Sequence, residues 1–234
     1  MNIEEALDIR LSLIFPKEIL GLLKEQGLYE PILSGKVKDA VTMYEYFPSK
    51  FLRWSYAKLT DFSIEILPYL VEGPVLEIAC GRGNLLVELV QKGVTPIYGI
   101  DASSMQLDVA KKRLQKYSEE LYLFNGRAEE FDYGGLPKMG NIIMREFWGM
   151  LSSSNSAKLL EGLKNCLMKE GQIIIGPHIN IEYNYEIKEA YRVLEEQLGF
   201  VLDYEPDYEF EKYGFSKKLI SLDCGEKHYI LKPI

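Results

Sequence analysis

An α/β fold built on a largely parallel sheet is predicted for this 234-residue chain. Three observations predict it. From residue 74 onward, short apolar runs alternate with helix-period segments, which is the rhythm of β–α–β crossovers. The first apolar run, Val75-Leu-Glu-Ile-Ala79, leads through Cys80-Gly-Arg-Gly83 into a helix at Asn84. A glycine turn there lets backbone approach a ligand closely, and the helix N-terminus adds free N–H groups. The first 72 residues lack this alternation and read as a helical lobe, with aromatics crowded between Val41 and Leu70.

Each element follows from local pattern. Ile3, Ala6, Leu7, Ile9, Leu13 and Ile14 recur at helical spacing until Phe15-Pro16 breaks them. Leu20, Leu22, Leu23 and Leu28 continue to Pro31. Tyr29, Tyr44, Tyr46, Arg53 and Trp54 are then the aromatic and polar material of a lid or of a packed lobe. Strands are expected at 74–79, 96–101, 121–125, 140–145 and 172–176. Helices are expected at 84–92, 103–117, 153–169 and 182–198. Ser103 or Ser104 can cap the second of these helices, and Gly171 reads as the stop of the third. Beyond residue 199 the pattern loosens. Phe200–Glu205, Lys218–Asp223 and Tyr229–Lys232 are candidate strands, the last two as an antiparallel hairpin with His228 on its surface. The expected domains are a helical lid over 1–72 and a cofactor-binding domain over 73–234.

Composition narrows the function. Hydrophobic residues make up 47% of the chain, enough for a sizeable core. With 27 Lys and Arg against 35 Asp and Glu, the net charge is −8, which disfavours a general nucleic-acid surface. No apolar run is long enough to span a membrane, and Glu4, Glu5 and Asp8 stand where a signal peptide is basic, so a cytoplasmic protein is expected. Cys80, Cys166 and Cys224 are scattered and do not join His178 or His228 at zinc-site spacing, so neither disulfides nor a metal is expected.

The glycine turn admits two cofactor classes. A dinucleotide fingerprint needs a third glycine where this chain has Leu86. Glu77 weighs more. A carboxylate in the strand leading into the turn repels a pyrophosphate and attracts an ammonium group. S-adenosylmethionine (SAM) carries an ammonium and a sulfonium and no phosphate. Asp101, at the end of the next strand, is placed to accept hydrogen bonds from ribose hydroxyls.

Val75-Leu-Glu-Ile-Ala-Cys-Gly-Arg-Gly83, followed by Tyr98-Gly-Ile-Asp101-Ala-Ser, resembles motifs I and II of the class I SAM-dependent methyltransferases. Asn125-Gly-Arg-Ala128-Glu129 resembles their third motif, and Leu167-Met-Lys-Glu-Gly171 their approach to strand five. The resemblance implies a Rossmann-like three-layer sandwich. Its seven-stranded sheet is mostly parallel, with an antiparallel C-terminal strand, and here a helical lobe precedes it. It places Glu77 at the methionine ammonium and Ala79, Gly81 and Gly83 around the methionine. Asp101 and Ala102 fall at the ribose, Ser103 and Met105 beside the adenosine, and Ala128 and Glu129 at the adenine edge. Arg127 departs from an acid often found there, and Ala79 from a frequent glycine, a mild change.

Ligands of open α/β sheets sit beyond the carboxyl ends of the strands. Arg145, Glu146, Phe147 and Trp148 end the fourth strand, and His178 follows the fifth. Arg145, Glu146 and His178 are therefore the candidate catalytic groups, with Arg145 also a candidate for SAM. Tyr44, Tyr46, Trp54, Phe147, Trp148 and His178 are candidates for the acceptor. The tetrapeptide of nucleic-acid amino methyltransferases is missing after strand four. The expected activity is methyl transfer to a small molecule. A nucleic-acid or protein acceptor, SAM binding without turnover, and a nicotinamide oxidoreductase are the alternatives; a homodimer is compatible with all of them.

Overall fold

The computed structural model describes residues 1–12, 17–25, 27, 29–34, 62–117, 119–145, 147–148, 151, 153–176, 185–198, 209–223 and 227–234. In chain order these form α1 (Ile3–Ser12), α2 (Lys17–Glu25), α3 (Glu30–Leu33), β1 (Val75–Ile78), α4 (Asn84–Gln91), β2 (Ile97–Asp101), α5 (Ser104–Leu114), β3 (Leu121–Asn125), β4 (Met139–Arg145), α6 (Ser153–Cys166), β5 (Leu167–Gly176), α7 (Tyr185–Leu198), β6 (Phe215–Ser221) and β7 (Lys227–Pro233). Residues 62–66 are also helical. Tyr44, Tyr46, Trp54, Glu146, His178, Cys224 and the candidate strand at Phe200–Glu205 lie outside the described residues.

The chain divides into two compact units, Met1–Trp54 with Asn180–Leu202, and Ser55–Ile179 with Asp203–Ile234. In the first, Asn2 and Glu5 cap the start of α1 reciprocally, each side chain accepting from the other's backbone N–H at 2.9 Å. The apolar face of α1, Ala6, Leu7 and Leu11, packs with Leu20 and Leu23 of α2 and with Ala190, Val193 and Leu194 of α7. Tyr29 is buried in the same cluster, and its hydroxyl donates to Asp8 Oδ1 at 2.8 Å. Lys24 Nζ holds the other oxygen of Asp8 at 2.5 Å.

The second unit is a seven-stranded sheet in the order β3-β2-β1-β4-β5-β7-β6. β1 through β5 pair in parallel, and β7 runs antiparallel to both β5 and β6. The order reverses between β1 and β4, so the loops beyond Ile78 and Arg145 diverge and open a crevice. Central strands of such a sheet are covered on both faces and read as continuous apolar runs; all four residues of β1 are buried. One face packs under α6 through Leu159, Leu160 and Leu163, joined by Trp148 and Phe210. The other packs under α4 and α5 through Leu85, Leu86, Leu89, Leu107, Ala110 and Leu114, joined by Phe62 and Ile66. Helix, sheet and helix are the three layers.

Two local expectations are corrected. α6 ends at Cys166, and the chain is extended from Leu167, so Gly171 does not stop the helix. It lies in an irregularity of the β4–β5 ladder, where a Cβ would meet Met139 O at 2.7 Å. His228 is not on the hairpin surface but 1% exposed.

No helix among the described residues is long and apolar enough to cross a membrane. Buried Asn141 and Gln172 tie the segment ahead of β1 to the sheet. Asn141 exchanges two hydrogen bonds with the backbone of Val71, and Gln172 Nε2 donates to Tyr69 O and to Asn141 Oδ1.

Candidate active site

The turn after β1 is shaped by backbone conformations that favour glycine. Gly81 and Gly83 have φ of 52° and 67°, and Ala79, between Ile78 and the turn, has φ of 58°. The alanine is thus not a mild replacement: it holds a left-handed conformation that costs an L-residue roughly 1–2 kcal/mol. A Cβ on Gly83 would meet Leu114 Cδ1 at 2.9 Å and Ala110 Cβ at 3.2 Å, whereas a Cβ on Gly81 would enter open space. Gly83 lets α4 approach α5, and Gly81 leaves a gap on the exposed side of the turn. Arg113 ties this corner down by donating to Arg82 O and to Asn84 Oδ1.

Asp101 closes the turn from β2. Its Oδ2 accepts from Gly81 N at 2.7 Å and its Oδ1 from Ser103 N at 2.8 Å. Burial raises its pKa, and these two N–H groups pull it back. Ser103 caps α5, accepting from Gln106 N at 3.4 Å, and Ala102 is half-buried. Asn125, at the end of β3, donates to the carbonyls of Asp101 and Ala102, both at 3.0 Å. Met105 is 51% exposed on the first turn of α5.

Glu77 is 6% exposed. The backbone N–H of Leu86, in the first turn of α4, draws its pKa down. Its Oε2 is buried without a hydrogen-bond partner. Burial pushes its pKa well up, Arg145 opposes this, and Asp101 adds to it. Such an oxygen is costly unless something else completes it. Cys80, between the two acids, is buried, and burial with both carboxylates nearby raises its thiol pKa well above the ordinary value, so it stays protonated.

At the third strand's end, Ala128 and Glu129 are buried, and Arg127 Nε donates to Glu129 Oε1 at 2.9 Å. The guanidinium that replaces the expected acid thus engages the acid two residues on. At the fourth strand's end Arg145 stands on the face of Glu77, since Glu77 pairs with Ile143 and Arg145 lies two residues further. Its guanidinium carbon is 5.4 Å from the centre of the Phe62 ring. Phe62 in turn meets the ring of His228 at 4.8 Å. Phe147 and Trp148 belong to the opposite face: Phe147 is half-buried against that core and Trp148 lies 5.5 Å from Phe210. Trp148 Nε1 is buried without a hydrogen-bond partner.

Glu77, Ala79, Gly81, Gly83, Asp101, Ala102 and Ser103 therefore cluster beyond the carboxyl ends of β1 and β2, with Arg145 on the far side of the switch. Phe62 was legible only as one aromatic among many ahead of residue 72, and nothing in its spacing marks it. His228 carries no local signal either; its burial arises from the pairing of β7 with β5.

Comparison with known proteins agrees with this geometry. Residues 75–171 match the family model of a methyltransferase domain. No curated protein sequence matches the chain. A candidate O-methyltransferase of Nostoc punctiforme PCC 73102 is 18% identical, with a TM-score of 0.63, over 88% of this chain and 68% of that one. The glycopeptide N-methyltransferase MtfA, solved with SAM, is 14% identical with a TM-score of 0.55, over 74% of this chain and 92% of its own. The mitomycin 7-O-methyltransferase MmcR is 11% identical with a TM-score of 0.56, over 77% of this chain and 54% of its own. At these identities the likeness is one of fold. The matched methyltransferase domain over residues 75–171 and the shared fold are consistent with a class I SAM-dependent methyltransferase.

Proposed function

We propose that this enzyme methylates a small organic acceptor, with SAM seated across the ends of β1 and β2. The observation that carries the seat is Glu77 Oε2, a buried carboxylate oxygen with no partner in the crevice of a sheet that switches there. An ammonium group completes it with a charge-assisted hydrogen bond. A phosphate would be repelled by both Glu77 and Asp101.

The residues present fit the cofactor. Glu77 receives the ammonium, and Ala79, Gly81 and Gly83 wrap the methionine chain. Asp101, already fixed by Gly81 N and Ser103 N, keeps free lone pairs for ribose hydroxyls. Ala102, Ser103 and Met105 flank the nucleoside, and Ala128 and Glu129 face the adenine edge. When bound, SAM supplies a methyl group on a positively charged sulfur, activated for in-line displacement. The protein's task is to hold the acceptor collinear with that methyl and to exclude water. Glu146 and His178 are the candidate bases for an acceptor that carries a proton; a thiolate, carboxylate or neutral amine needs none.

A small acceptor is favoured over nucleic acid by the net charge of −8. MtfA and MmcR, which share the fold, are named for a glycopeptide and for mitomycin. Isothermal titration with SAM and S-adenosylhomocysteine tests the seat: binding is expected for both, and loss of it in Asp101→Ala. Methyl-labelled SAM incubated with fractionated cell extract tests the acceptor. Label is expected in the low-molecular-mass fraction, and label only in protein or RNA would refute the small-molecule reading.

A further inference from the structure

We propose that Arg145 reads the α-carboxylate of SAM, and that the Phe62–His228 ring pair positions it to do so. The inference rests on the cofactor seat above and extends it to the other charge of the amino acid.

The methionine part of SAM carries an ammonium and a carboxylate on the same carbon. A site that presents only Glu77 answers half of that pair and buries a carboxylate opposite an acid. Across the switch point, Arg145 supplies the missing cation on the same face of the sheet. It stands two residues beyond the β4 partner of Glu77. Its charge acts on Glu77, yet Glu77 Oε2 has no hydrogen-bond partner, so the acid still has a bond to give. An acid and a guanidinium held side by side in this way match the two ends of an amino-acid zwitterion.

The guanidinium packs on a ring. Its carbon lies over Phe62, which is fully buried and also meets the tilted ring of His228. The register explains the room for this pair. Arg145 pairs with Gly176, and Ile175 pairs with Tyr229, so Gly176 and His228 are neighbours on that face. The missing Cβ of Gly176 is where the imidazole lies. A guanidinium stacked on a ring keeps its donors in one plane along its edges, the geometry that a carboxylate accepts bidentately. Phe62 and His228 are therefore positioning residues; Arg145 is the one that touches the cofactor.

The test compares SAM with its decarboxylated analogue, which keeps the ammonium, the sulfonium and the nucleoside. Titration calorimetry of the full chain is expected to show SAM binding about ten- to a hundredfold more tightly than the analogue. In Arg145→Met the preference falls to within about threefold, because the carboxylate loses its partner. In Glu77→Gln both ligands weaken and the preference stays. In Phe62→Leu the preference narrows while the analogue's affinity holds, a split that a loss of folding would not produce. A wild-type protein that binds both ligands equally, or an Arg145→Met variant that keeps the preference, overturns the inference and leaves the cofactor seat intact. Failure of the wild type to bind either ligand overturns the seat itself.

Discussion

Gly176 and His228 face each other across β5 and β7 so closely that a Cβ on the glycine would overlap the imidazole. The histidine is 1% exposed and also packs against the ring of Phe62. It cannot retreat without displacing a fully buried aromatic. Gly176→Ala is therefore an overpacking change at the carboxyl end of the sheet and is expected to cost about 1–3 kcal/mol. Chemical denaturation checks this. Wild-type stability in Gly176→Ala would mean that the imidazole has another place to go.

The glycine turn contains two glycines of similar φ and different surroundings. Gly83→Ala combines left-handed strain with contact against Leu114 and Ala110, so α4 must move away from α5. A loss of about 2–4 kcal/mol is expected, roughly 1–2 from strain and the rest from packing. Gly81→Ala carries the strain alone, since its Cβ enters open space, and about 1–2 kcal/mol is expected. The order reverses for the cofactor. The methyl of Gly81→Ala stands where the methionine chain is proposed to pass, so SAM affinity falls further in that variant than its stability does. Equal stability losses in the two variants would contradict the packing argument.

Ala79→Gly should stabilise the protein. The left-handed backbone at Ala79 costs about 1–2 kcal/mol in an alanine. Glycine removes that cost and gives back about 0.4–1 kcal/mol through the freer unfolded chain. The net is a gain of up to about 1.6 kcal/mol, a rise in Tm of at most roughly 6 °C for a chain of this size. A fall in Tm would show that the methyl group makes contacts that outweigh its strain.

Much of this was legible because it is local. The five parallel strands, the helices between them and the turn at Gly81 and Gly83 are set by period and punctuation that a linear reading detects. The same reading singles out Glu77 and Asp101 because they stand beside a glycine turn, and the fold brings the Asp101 carboxylate onto that turn at Gly81 N. What escaped depends on pairing across the sheet. His228 reads as a hairpin residue in isolation and becomes buried because β7 inserts beside β5. Phe62 gains its place only when the end of β4 brings Arg145 to its ring. Gly171 looks like a helix stop by its neighbours, yet its reason is the carbonyl of Met139 on another strand. Tyr29 is likewise occupied within its own unit, where Asp8 takes its hydroxyl.

The buried acid at Glu77 also makes cofactor affinity depend on pH, with a sign that can be worked out. Burial raises its pKa above the ordinary carboxylate value, and the neighbouring Asp101 adds to this. The Arg145 guanidinium and the Leu86 N–H act the other way without cancelling it. A carboxyl whose folded pKa exceeds its unfolded value stabilises the fold below the unfolded value of about 4.3, and that contribution is lost as pH rises through the folded pKa. The free protein therefore loses stability on ionising Glu77. An ammonium in contact with the carboxylate favours the ionised form, so binding SAM releases a proton wherever free Glu77 is still protonated. Affinity is expected to rise with pH by at most about tenfold per unit across that window. The rise ends at the folded pKa of Glu77 or, at the latest, near pH 8, where an α-amino group itself titrates, at about 7.7–8.0. Calorimetry in two buffers of different ionisation enthalpy counts the released protons directly. Proton release that survives in Glu77→Gln would assign the linkage to another group, with Asp101 the first to examine; no release in the wild type at any pH below 7 would mean that Glu77 is already ionised before SAM arrives.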